Sequence, residues 1–338
     1  MISLLISEPF KIGLTEADKP IISGEDVLIK VKYVGFCGSD LSSYMGRNPM
    51  VRYPVVPGHE IAGVISEKGP GVPDRFKPGD KVTVIPYTSC GKCASCLRGR
   101  ANACQYNETL GVQRNGAMSE FVSIPWNKVI RGNGLSFEEL ALTEPLTVGF
   151  HAVSRGRVAQ GDTVAILGCG IIGMGALISS VNRGAKVVAV DVDGEKLEFA
   201  RSLGALESIN TSKQDLVSSL KSLSGGKGPD IIIEAAGQRA TYQASVEGVA
   251  FTGRVVCIGY AKEDISFATR LFVQKELDIL GSRNASLEDF NEVMDILGKG
   301  KLQASSLISS KVSPGEAAKA LEKWVKNPGR VFKILVGF

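Results

Sequence analysis

Residues 161–191 read GDTVAILGCGIIGMGALISSVNRGAKVVAVD. Residues 163–167 form a short apolar, β-branched run suited to a buried parallel strand. They lead into Gly168, Cys169, Gly170, Ile171, Ile172 and Gly173, which have G-x-G-x-x-G spacing. The first glycine permits a tight turn, the second lets the backbone approach a pyrophosphate, and the third lets the next helix pack closely on the strand. The helix opened by Ile171 and Ile172 then points its N-terminus at the phosphates. A second apolar strand, 186–190, ends in Asp191, 18 residues past Gly173, where a carboxylate can accept hydrogen bonds from an adenosine ribose. Residues 163–181 carry no charge and are long enough to suggest a membrane span. Four glycines interrupt that run where the fingerprint needs them, which favours a dinucleotide site.

The chain has 338 residues, 44% hydrophobic and 22% charged, enough for two domains with their own cores. Lys and Arg number 39 against 35 Asp and Glu, a net charge of +4 without a basic block. That gives no reason to expect nucleic acid or an anionic membrane as partner. The N-terminus, MISLLISEPF, has no basic n-region and only six residues before Ser7, so a cytoplasmic protein is expected. Seven cysteines in such a protein are metal ligands or core residues rather than disulfides.

Residues 1–145 are β-rich, with strands expected at 27–31 and 81–85 and turns such as Lys77-Pro78-Gly79-Asp80. Without helices between its strands, this part cannot be a parallel sheet. From 146 to 282, apolar strands at 163–167, 186–190, 230–234, 254–259 and 276–281 alternate with helical segments, the pattern of a doubly wound α/β sheet. A helix at 286–298 and a strand at 330–336 do not extend such a sheet, so 283–338 is expected to return to the first domain.

Cys90, Cys93, Cys96 and Cys104 are spaced C-x2-C-x2-C-x7-C in a loop spanning 88–106. Four thiolates so placed suit a closed tetrahedral zinc that fixes a loop with little core of its own. An iron–sulfur run would close with three intervening residues and a proline, where this loop has seven and Gln105. A second set is dispersed: Cys37 in GFCGSD, His59 and Glu60 in PVVPGHE, and Glu144 in LTEPL. Each follows an apolar run at a turn, so all can converge on a catalytic zinc with an open position. The other histidine, His151, falls on an expected helix and reads as structural. Zinc cannot accept electrons, but it can polarise an alcohol oxygen while a nicotinamide takes the hydride.

The GHE at 58–60, the CGSD at 37–40, the four-cysteine loop, Glu144-Pro145 and GCGIIG together resemble the zinc-dependent medium-chain alcohol dehydrogenase family along essentially the full length. The resemblance implies a GroES-like β-rich catalytic domain, a Rossmann domain and an active site in the cleft between them. It implies two zincs per chain, with Cys37, His59 and either Glu60 or Glu144 as ligands of the catalytic one. VIPYTSCGKCASC and KELDILGSRNASLEDF are similar to the polyol and sugar-acid branch, in particular dehydrogenases of the sorbitol and L-galactonate type. The expected activity is oxidation of a secondary alcohol of a polyol or sugar acid to a ketone, with Ser39 passing the proton toward the cofactor ribose. Ser42 stands where the family commonly has a relay histidine, and Ser43 where sorbitol dehydrogenases carry an aromatic residue, leaving Tyr44 to supply one. A threonine-type amino-alcohol dehydrogenase and a cofactor-binding protein without turnover are the alternatives.

Three further expectations come from the residues. Asp191, followed by Val192-Asp193, favours NAD over NADP because no positive charge offsets a 2′-phosphate. Arg283 and Asn284 follow the last strand of the sheet, at the carboxyl ends where such folds bind ligands, and a guanidinium there can grip a carboxylate. The apolar edge strand at 275–281 calls for a partner, so a homodimer or homotetramer is expected.

Overall fold

The computed structural model describes residues 1–132, 134–300 and 302–338. The chain forms two compact units, one of Met1–Glu144 with Ser286–Phe338 and one of Pro145–Ala285.

In the first unit the long strand Asp26–Phe36 is the axis of a seven-stranded sheet. Its inward residues, among them Val31, Val34 and Phe36, are fully buried and pack with Ile61, Ile65 and Met118. Strand Glu60–Lys68 runs antiparallel beside it, with Gly35 opposite Glu60. Strands Lys81–Val84 and Val129–Arg131 continue that side, and Phe121–Pro125 pairs with the other end of Asp26–Phe36. The tail contributes strands Ser310–Val312 and Ile334–Gly337, the latter antiparallel to Asp26–Phe36. A separate hairpin joins Ile2–Glu8 and Lys11–Glu16.

The second unit holds a six-stranded parallel sheet. Its order is Glu207–Asn210, Lys186–Asp191, Thr163–Leu167, Ile231–Glu234, Arg254–Cys257 and Asp278–Gly281. Numbered along the chain from Thr163–Leu167, that is 3-2-1-4-5-6, the doubly wound dinucleotide-binding order. Ala165, Leu167, Val188, Val190 and Ile232 are buried on one face and Val164, Ile166, Val187, Ile231 and Ile233 on the other, as expected of parallel strands covered on both sides. The strand expected over 254–259 stops at Cys257, where the amides of Ile258 and Gly259 both donate to the Glu234 carbonyl and the ladder register is lost. The helix expected at 286–298 is Leu287–Gly298, capped by Ser286, whose hydroxyl accepts from the amide of Asp289. No described helix is long and apolar enough to cross a membrane.

Candidate active site

Each glycine of the fingerprint has its own geometric reason. Gly168 has φ +95, and a Cβ there would come within 3.0 Å of the Ala236 amide. Gly170, the N-cap of helix Ile171–Asn182, has nothing within 4 Å of the position a Cβ would take, which leaves room for a phosphate. A Cβ at Gly173 would sit 1.8 Å from the Gly168 carbonyl oxygen, so only glycine lets this helix turn lie on the strand end. Asp191 ends its strand and accepts from the Cys169 amide at 2.7 Å and the Asp193 amide at 3.0 Å.

In the first unit, Cys37, His59 and Glu60 converge: their ligand atoms all lie within 4.8 Å of one another. Cys37 caps the short helix Gly38–Tyr44, and Glu60 opens strand Glu60–Lys68. Asp40 ties the two loops together. One of its carboxylate oxygens accepts from the Cys37 amide at 2.8 Å, and the other from the Gly58 amide at 3.1 Å. Glu144, on helix Phe137–Arg155, is buried and accepts a hydrogen bond from the Tyr87 hydroxyl. Lys333 is also buried, with its ammonium 2.5 Å from Glu60 Oε1. Neither Tyr87 nor Lys333 was an expected site residue. The "PY" before the four-cysteine loop was the one available signal for Tyr87, and nothing local marked Lys333.

The site gathers negative donors out of water. Burial pushes the carboxyls of Asp40 and Glu144 up, and burial followed by the Glu144 charge does the same to the Tyr87 hydroxyl. Burial works against protonation of His59, but Cys37, Asp40 and Glu144 outweigh it and raise that imidazole. Ser39 Oγ, one ring nitrogen of His59 and Glu60 Oε2 are buried without a hydrogen-bond partner among the described residues. A thiol, an imidazole and a carboxylate with unused lone pairs form the mixed donor set that a catalytic zinc takes.

The sulfurs of Cys90, Cys93, Cys96 and Cys104 also lie within 4.8 Å of one another. The Ser95 hydroxyl and backbone amides lower the Cys93 thiol to about 5, while burial and the Cys93 thiol push Cys96 up to about 11. Four thiols this close cannot all ionise unaided, and a divalent cation is what allows it, so the cluster fits a structural zinc.

The remaining expected residues are placed as follows. His151 is buried on helix Phe137–Arg155, and Arg283 and Asn284 follow strand Asp278–Gly281 in the second unit. Tyr44 is 3% exposed and packs edge-on against Phe10 at 5.5 Å, so it serves the core. Ser43 is turned inward too, its hydroxyl donating to the Ser39 carbonyl at 2.8 Å.

Residues 23–133 match the alcohol dehydrogenase GroES-like domain, and residues 172–299 the zinc-binding dehydrogenase domain. The chain is 32% identical to L-galactonate-5-dehydrogenase of Escherichia coli K12 over 99% of its own length and 98% of that protein's. It is 32% identical to sorbitol dehydrogenase of Bacillus subtilis over 94% and 91%. An alcohol dehydrogenase from E. coli CFT073, solved with NADH, superposes with a TM-score of 0.93 at 31% identity, covering 100% of this chain and 99% of that one. With such similarity along nearly its whole length, the chain belongs to the zinc-dependent medium-chain alcohol dehydrogenase family, as an oxidoreductase of its polyol and sugar-acid branch.

Proposed function

We propose that the protein oxidises a secondary alcohol of a polyol or sugar acid to a ketone, using NAD and a zinc held by Cys37, His59 and Glu60. The observation that carries this is the convergence of those three donors within 4.8 Å, with buried lone pairs unused. Glu60 is taken as the direct acidic ligand because, among the described residues, it is the carboxylate that joins Cys37 and His59 in that cluster. When bound, zinc would supply a Lewis acid and NAD a hydride acceptor.

The chain's own residues do the rest. Ser39 Oγ, buried and unpartnered among the described residues, would relay the proton of the substrate hydroxyl, taking it up as it hands its own proton on toward the cofactor ribose. Asp40 keeps the Cys37 and Gly58 turns at fixed separation, so the donors need not reorganise as the substrate binds. Gly170 leaves space for the pyrophosphate and Asp191 would accept from the ribose. Val192, 65% exposed, offers no cation to a 2′-phosphate, which supports NAD over NADP.

Similarity to a sugar-acid dehydrogenase supports a carboxylate-bearing substrate, and Arg283 is the residue proposed to grip it. Following NADH production over a matched panel of polyols and sugar acids tests both points. Turnover of at least one panel member is expected. Arg283→Lys should lower efficiency with the acid by roughly 1–3 kcal/mol and with the matching polyol much less. An unchanged acid-to-polyol ratio would rule out carboxylate recognition at Arg283, and a silent panel would remove the substrate class.

A further inference from the structure

Lysine is almost never fully buried unless it is paired. Lys333 is 1% exposed, and its partner Glu60 is 0% exposed. The ammonium lies 2.5 Å from Glu60 Oε1 and donates to the Phe36 carbonyl at 3.1 Å. The main chain fixes it there: the Ser309 amide donates to the Lys333 carbonyl at 2.8 Å, and Ile334 pairs with Phe36 across the sheet. The carboxylate is shaped from its other side as well, since a Cβ at Gly35 would stand 2.0 Å from Glu60 Oε2. That oxygen has no hydrogen-bond partner among the described residues. A buried ion pair gives little net stability over a well-packed apolar pair, so stability alone does not explain why the tail brings a lysine here.

We propose that Lys333 is a positioning residue for the metal centre: by holding Oε1 it turns Glu60 so that Oε2 is offered to a divalent cation together with Cys37 and His59. The proposal rests on the metal-centre assignment above. Lys333 itself touches neither metal nor substrate and acts only through Glu60.

The test uses the full-length protein with cobalt(II) in place of zinc, because its visible absorption reports coordination without turnover. Wild-type protein should show cobalt bands of the Cys37 site, absent in Cys37→Ser. Lys333→Met should weaken cobalt binding at that site roughly 10–100-fold and shift its bands, leaving the four-cysteine site filled. If the substitution acts through Glu60, the double variant Glu60→Gln with Lys333→Met should match Glu60→Gln alone in affinity and spectrum. If Lys333→Met does not fold, that comparison still reads the role, since the double variant removes both charges of the buried pair and Glu60→Gln alone leaves the Lys333 ammonium an amide oxygen and the Phe36 carbonyl as acceptors. An unchanged spectrum and affinity in Lys333→Met, or a double variant weaker than Glu60→Gln, would overturn the positioning role. Wild-type bands that persist unaltered in Cys37→Ser would instead overturn the metal-centre assignment, and this proposal with it.

Discussion

The carboxylate of Asp191 accepts the amide proton of Cys169 at 2.7 Å, so the residue proposed to bind the ribose also clamps the glycine turn to the end of the second strand of the parallel sheet. Asp191→Ser should therefore loosen the turn as well as remove a cofactor contact. Its efficiency with NAD should fall at least about tenfold, equivalent to about 1.4 kcal/mol. Adding Val192→Arg at that exposed position should raise efficiency with NADP relative to NAD. Comparing kcat/KM for both cofactors checks this, and equal efficiency with the two in the wild type would count against the assignment.

The two cysteine sites should separate experimentally. Cys93→Ser removes one of four sulfurs around a loop whose only regular structure is short, the helix Ala94–Leu97 and a single turn Ala101–Ala103. It should lose one zinc and lower Tm. Cys37→Ser should lose the other zinc and turnover, with Tm nearly unchanged. Elemental analysis with thermal melts reads both, and fully active protein containing one zinc or fewer would contradict two sites.

What was legible in the sequence was what local geometry dictates. Gly168, Gly170 and Gly173 each answer to a turn, an approach or a close packing within a few residues, so spacing alone revealed them. The Cys90–Cys104 loop was legible for the same reason, since its donors are neighbours in the chain. Strand Glu207–Asn210 was not, because it has four residues, lies at the sheet edge, and buries only Ile209 fully. Lys333 and Tyr87 were missed for a different reason. A buried lysine or tyrosine is explained by its partner, and Glu60 and Glu144 lie 273 and 57 residues away in sequence. The tail strand was expected over 330–336 but starts at Ile334, after a short turn at Pro328–Arg330.

Tyr87 donates to a carboxylate that is itself buried, and removing that donor leaves desolvated charge with less support. Tyr87→Phe should cost about 1–3 kcal/mol of stability and reduce kcat. Urea denaturation with steady-state kinetics measures both. Unchanged values would show that the hydroxyl matters neither to the fold nor to Glu144.

Strand Asp278–Gly281 lies at the end of its sheet, with Ile279 42% exposed, and nearby Val273 is 83% exposed. An edge carrying apolar side chains invites pairing with a second copy. We expect an oligomer in solution, and Ile279→Lys should shift it toward monomer. Mass by light scattering at micromolar concentration decides this, with a monomeric wild type as the contrary result.

In the function proposed above, hydride passes from a substrate carbinol carbon to NAD at a centre that needs Cys37. A turned-over polyol or sugar acid carrying deuterium on that carbon tests it directly, with the reduced cofactor analysed by mass spectrometry. One deuterium per reduced nicotinamide is expected in the wild type and no product in Cys37→Ser. Unlabelled NADH, or labelled product undiminished in Cys37→Ser, would contradict it.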